Sequence, residues 1–282
     1  MTTSSAVSDP PGPPAAAPDS GPPRPARERP TWLGGAIGVL ALLVVWWLLA
    51  ITVFHSSGSV PTPWSVLKQY PDDGWHFYST NAGITLKSAG QGFVWGNGLA
   101  LVVALLVLLV PPLEAVATQL AVISYCMPLT AIGPIILVIF GGRAPSIFLA
   151  ALSVFFTTLV GALLGLKAAD RASLQLIEAY GGSRRHRLIK VQLIAALPNI
   201  LSALKIAAPA AMLGAIIGEY LGGVDNGLGV VLTVSQQQFL VPRTWALAIL
   251  IGALAGLGYA IFALIARFVT PWTTGTTAGA NG

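Results

Sequence analysis

From Gly165 to Pro198 the chain reads GLKAADRASLQLIEAYGGSRRHRLIKVQLIAALP. The stretch from Asp170 to Tyr180 holds no helix breaker. Asp170 can cap a helix start, and Leu174, Ile177 and Tyr180 recur near one face of that helix. Gly181 and Gly182 then end it, because glycine adopts the left-handed conformation that closes a helix. A second helix is expected over Arg184 to Ala196, basic at its start and apolar towards Pro198. The pattern is helix, glycine turn, helix. Two readings of it stand: the arginines lie on anionic lipid, or the apolar face seats in a groove of a cytoplasmic partner.

What flanks this hairpin decides the class of protein. Of the 282 residues 55% are hydrophobic and only 9% charged, where a soluble domain carries roughly a quarter charged residues. Such a chain belongs in a membrane. The net charge of +5 does not indicate nucleic acid, because the basic residues fall between apolar runs and are not interleaved with stacking aromatics. Six membrane spans are expected: Trp32 to Phe54, Ile84 to Val110, Ala117 to Phe140, Ser146 to Leu166, Ile200 to Leu221 and Thr244 to Val269. The first would reach about 34 Å, enough for the hydrocarbon core and too long for the apolar region of a signal peptide.

The domain organisation follows. Residues 1–31 form a Pro- and Ala-rich disordered tail, 32–54 the first span, and 55–83 an extracytoplasmic loop with an interfacial helix over Trp64 to Tyr70. Residues 84–269 form a core of five spans with a coupling loop at 167–198, and 270–282 a polar tail. In the second span Lys87, Ser88, Gly90, Gln91, Gly92, Gly96, Asn97 and Gly98 suit a helix packed among helices. Pro128 and Pro134 in the third span make either a structural kink or a wall of a pathway. Cys126 reads as a small buried hydrophobe.

Orientation rests on basic residues. With both termini in the cytoplasm, the inner side holds Arg24, Arg27, Arg29, Lys167, Arg171, Arg184, Arg185, Arg187, Lys190 and Arg267, ten against Lys68, Lys87, Arg143 and Arg243 outside. Lys205 sits near a helix end and snorkels to the inner headgroups. Glu219 lies within the fifth span, about two residues from its outer end. It serves either a gating or substrate-path role, or pairs at the interface with backbone or with Arg243. No P-loop occurs, so the chain cannot hydrolyse nucleotide by that route, and His55, His76 and His186 show no metal-ligand spacing.

The quoted segment resembles the EAA motif of permease subunits in binding-protein-dependent ABC importers of the type I fold. The family pattern is EAA, three residues, Gly, nine residues, then I-x-L-P. Gly181 matches the central glycine, and Val191, Gln192, Leu193 and Ile194 occupy the I-x-L-P positions. Pro198 matches a second L-P of many members, and Asp170 and Gly165 also align. Gln175, Leu176 and Ile177 stand where the family has Glu, Ala and Ala, the literal Glu178 and Ala179 come three residues late, and Ile194 replaces the motif proline. Further matches cover roughly residues 60 to 270: PWSVL from Pro63 to Leu67, PLTAIGP from Pro128 to Pro134, and Glu219 followed by Gly227, Leu228 and Gly229. They resemble the nitrate/sulfonate/taurine branch.

The resemblance implies an all-α polytopic permease with six transmembrane helices and a cytoplasmic coupling helix around Gln175 to Ser183. Leu174, Gln175, Ile177, Glu178, Ala179, Tyr180, Gly181, Gly182 and Ser183 would form the ATPase-coupling site, and Pro128, Pro134 and Glu219 the translocation pathway. The implied partners are a second permease subunit (a homodimer), two ATP-binding subunits and an extracytoplasmic solute-binding protein in the cell membrane. The chain itself would bind no cofactor and be no enzyme; ATP is used by the partner. The solute would be small, an anion or sulfonate-like compound. The alternative is an ATPase-independent secondary carrier, which would need mid-membrane coupling carboxylates where only Glu219 comes close. An intramembrane enzyme would need a nucleophile with a base, and the spans hold no such pairing.

Overall fold

A computed structural model describes residues 31–273. The expected tails at 1–31 and 270–282 lie almost wholly outside the described residues. The chain divides into two units, Met1–Val45 and Trp46–Gly282. The described part of the first is the start of helix α1 (Thr31–Ile51), apolar on all sides.

In the second unit, α2 (Pro63–Asp73) is capped by Thr62, whose side chain accepts the Ser65 N–H, and starts with a proline where no intrahelical donor is needed. Helix α3 (Trp75–Leu109) follows after one residue. It begins nine residues before the expected Ile84. The polar, aromatic turns from Trp75 lack an apolar run, yet they are held by Tyr78, which is buried and donates to Asp73 Oδ2 at 2.7 Å.

The third expected span is two helices, α4 (Glu114–Cys126) and α5 (Leu129–Phe140), meeting at 93°. The break is local chemistry: Met127 precedes Pro128, which forces it into extended backbone (φ −67°, ψ 123°) and ends α4. Pro134 lies inside α5 without breaking it. The pair still runs the length of the bundle. It starts beside the last residue of α6 (Ala144–Lys167), where Glu114 pairs with Lys167, and ends next to the first residue of α6. Among the described residues five helices are long and apolar enough to cross a membrane, and six crossings result if the bent pair forms one of them. Cys126, the last residue of α4 at the bend, is exposed rather than buried.

Helix α7 (Arg171–Ala179) and the short α8 (Arg184–Arg187) form the hairpin. The second arm does not stop at Ala196. One π-helical turn, Leu188–Gln192, leads into α9 (Leu193–Tyr220), which contains Pro198 and Pro209. Helix α10 (Leu228–Gln237) folds back over the end of α9, and α11 (Val241–Val269) completes the bundle.

Small residues set the packing of α3, α6 and α9. A Cβ at Gly92 would stand 2.7 Å from Ile147 O, so α3 lies backbone-close to α6. One core cluster includes Tyr78, Val154, Met212, Leu228 and Leu247; another, at the hairpin end, includes Val107, Leu159, Leu163 and Ala196. Between them the buried Thr158 hydroxyl donates to Asn97 Oδ1, so two polar groups in an apolar interior satisfy each other.

Candidate functional site

The candidate residues lie in the hairpin, on the bent pair α4–α5 and at the far end of the bundle. Asp170 caps α7 by accepting from the Ser173 N–H at 3.2 Å, and backbone hydrogen bonds hold its carboxyl below the usual carboxylate range. Gly181 has φ +72°, and the exit is a Schellman closure. The Gly182 N–H donates to Ile177 O at 2.8 Å and the Gly181 N–H to Glu178 O at 3.0 Å. Across the turn Arg187 Nη1 donates to Glu178 Oε2 at 3.1 Å, tying the arms together. Ser183 Oγ lies 2.9 Å from His186 Nδ1 at the start of the second arm.

The outward face of α7 differs from the expected one. Leu174 turns inward, lining a cavity with Val107, Leu163 and Leu166 at the ends of α3 and α6. Ile177 is half-buried, packed under Gly182. The exposed apolar side chains are Leu176 (58%) and Tyr180 (86%), with Gln175, Glu178, Ala179 and Ser183 also exposed. Of the expected face only Tyr180 points out. Periodicity identifies the helix but not which of its faces turns towards the bundle.

At the other end Glu219 is 2% exposed, not at a watery interface. Thr85 Oγ1 lies 2.9 Å from each of its carboxylate oxygens, and the Gly229 N–H donates to Oε2 at 2.9 Å. Thr85 Oγ1 also accepts the Leu228 N–H at 2.8 Å, and Asn81 Oδ1 accepts the Gly227 N–H at 2.9 Å. Gly227 has φ +139°, and a Cβ there would meet the Glu219 carboxyl carbon at 2.5 Å. Thus α3, the end of α9 and the start of α10 are clasped through one buried carboxylate. Asn81 and Thr85, four residues apart on α3, escaped the sequence reading; their i, i+4 spacing was the available signal.

Arg243 is not a partner of Glu219. It binds Asp73, with Nε 3.0 Å from Oδ1 and 2.9 Å from Oδ2, and its guanidinium lies 5.5 Å over the Phe77 ring. Burial pushes the Asp73 carboxyl up, but hydrogen bonds from Arg243, Tyr78 and Gln69 outweigh it and hold the group below its ordinary value. Pro128 and Pro134 are exposed on the bent pair. They share neither the Glu219 clasp nor the hairpin.

The bundle is all-α, with a helical elbow at one end and a bent third crossing. A solved chain described as "Crystal structure of an amino acid ABC transporter with histidines" matches it with a TM-score of 0.52 at 17% identity, over 68% of this chain and 92% of that one. Residues 96–275 match the family "Binding-protein-dependent transport system inner membrane component", and the chain belongs to that family. A "Probable ABC transporter permease protein" of Haemophilus influenzae is 30% identical over 235 residues, 83% of this chain and 94% of its own. "Formylaminopyrimidine transport permease protein ThiX" of Halalkalibacterium halodurans is 27% identical over 232 residues, 82% of this chain and 92% of its own. SsuC of Bacillus subtilis, named for aliphatic sulfonates transport, is 23% identical over 253 residues, 88% of this chain and 91% of its own.

The protein is therefore a multi-pass permease subunit of an ABC importer, forming a translocation pathway, and not an enzyme. Such an importer combines the permease with an ATPase and a solute-binding protein. Among the described residues no group of three or more His, Cys, Asp or Glu could hold a metal ion.

Proposed function

We propose that this permease imports a small anionic, sulfonate-like solute and couples to its ATPase through the hairpin at Gly165 to Pro198. The observation that carries the coupling is mechanical. The Schellman closure stiffens the elbow, and Arg185–Tyr220 continues from it as one helical run of 36 residues. Displacing the elbow would therefore move the far end of α9, where Glu219 is held. In this reading Leu176 and Tyr180 seat in the ATPase groove, with Gln175, Glu178, Ala179 and Ser183 around them. Leu174 and Ile177 anchor the helix from within, and Gly181 and Gly182 form its turn.

Pro128 and Pro134 give the bent third crossing its shape beside the pathway, and Glu219 holds the pathway wall at the end away from the hairpin. The hairpin and both termini lie in the cytoplasm. Two copies of the chain form the pore, two ATP-binding subunits dock beneath, and a solute-binding protein delivers from outside. The sulfonate-transport name of one relative supports the solute class. The test is expression with the cognate ATPase and binding protein in proteoliposomes, measuring ATP-dependent ethanesulfonate uptake. Uptake that needs all three components supports the reading; uptake by the chain alone contradicts it.

A further inference from the structure

Lys87 and Arg143 lie together at the end of the bundle away from the hairpin. Arg143 immediately precedes α6, whose other end is Lys167, and Lys87 is 22 residues from the end of α3, about 33 Å along the helix. With Ile84, Ser88 and Gln91 they line a cavity of about 360 Å³, large enough for a small organic ion. The lining holds two cations, a hydroxyl and a carboxamide, and no acid.

The guanidinium has unused capacity. Arg143 Nη2 reaches Asn226 O only at 3.4 Å, and Nη1 is buried with no hydrogen-bond partner. A buried donor without an acceptor is costly, so an incoming oxyanion that draws the side chain to itself would relieve that cost. Glu219 attracts Arg143 but takes its hydrogen bonds from Thr85 and Gly229. The start of α6 adds to the same field. No side chain caps it and no acid lies in its first turn, so its positive end is uncompensated.

We infer that Lys87, Ser88, Gln91 and Arg143 form an oxyanion site at the mouth of the permease, taking the sulfonate or similar anionic group of the solute. The inference rests on the proposed import of an anionic solute and locates where its charged group is first held. Lys87 and Gln91 are exposed, so the site stays open and holds its ligand loosely enough to pass it on. A lipid phosphate presents the same chemistry, so the test separates the two.

The full chain with its ATPase is placed in nanodiscs of phosphatidylcholine, with or without added phosphatidylglycerol, and titrated with ethanesulfonate or its neutral analogue ethyl methyl sulfone, reading the unfolding temperature. Ethanesulfonate alone should raise it. Lys87→Gln and Arg143→Gln should each weaken the response on the order of tenfold, the size of one charge-assisted hydrogen bond, while Lys87→Arg keeps it. Lys87 is exposed, so its variants fold even if Arg143→Gln does not. No response to ethanesulfonate, or an equal response in both Lys87 variants, overturns the site. A response only to phosphatidylglycerol in the discs, lost in Lys87→Gln, also overturns it by making the ligand a lipid. ATPase retention in the same discs reads the underlying importer assignment separately.

Discussion

Thr85 joins α3 to two other elements at once: its hydroxyl oxygen lies 2.9 Å from both carboxylate oxygens of Glu219 and accepts the Leu228 N–H at 2.8 Å. Neither group could be buried alone at low cost, and together they replace water for each other. Thr85→Val removes the bridge while keeping the shape. It leaves a buried carboxylate short of a donor and an amide short of an acceptor, and should cost about 1–3 kcal/mol. Glu219→Gln keeps most of the bonds and should cost less. Thermal unfolding in nanodiscs checks the order; a larger loss in Glu219→Gln would contradict the clasp.

Gly227 tests the same clasp from the backbone side. Its φ of +139° and the carboxyl carbon 2.5 Å from any Cβ leave no room for alanine. Gly227→Ala should lower stability by about 2 kcal/mol or more and reduce uptake, because α10 can no longer close over Glu219. Wild-type unfolding temperature in this variant would remove the constraint.

The elbow depends on a left-handed residue. Gly181→Val should cost roughly 1–2 kcal/mol locally and weaken ATPase stimulation. Glu178→Gln breaks only an exposed ion pair and should change stability by less than about 1 kcal/mol. Side-by-side ATP hydrolysis by reconstituted complexes distinguishes the two, and equal effects would contradict a stiffness role for the turn.

Asp73 gives the pH dependence. Its carboxyl is held below its ordinary value in the folded protein, so the unfolded chain binds the proton more readily. The stabilisation is fully present above the unfolded value of about 3.9 and is lost as pH falls through the lower folded value. Asp73→Asn should therefore cost stability at neutral pH and flatten the acid limb of a stability–pH curve. An unchanged acid limb would mean the Arg243 pair carries no stability.

Much of the fold was legible in hydropathy alone, because lipid demands long apolar helices with every backbone group bonded internally. The cap at Asp170 and the turn at Gly181 were legible for local reasons that need no tertiary contact. What escaped depended on partners distant in sequence. The early start of α3 rests on Tyr78 meeting Asp73, and the depth of Glu219 on α10 folding over it. Arg243 looked available to Glu219 by position, yet Asp73, 170 residues away in the chain, takes it. The second arm was expected to end at Ala196, but Pro198 stands inside α9, which continues past it to Tyr220.

The most direct measurement concerns Leu176 and Tyr180, the apolar side chains that α7 turns outward. The wild-type complex and the Leu176→Asp, Tyr180→Asp double variant are purified through a tag on this chain, and the ATPase retained per permease is measured. Both positions are exposed, so the variant should fold and reach the membrane normally while losing most of its ATPase. Full ATPase retention with undiminished solute-stimulated hydrolysis would contradict coupling through this hairpin.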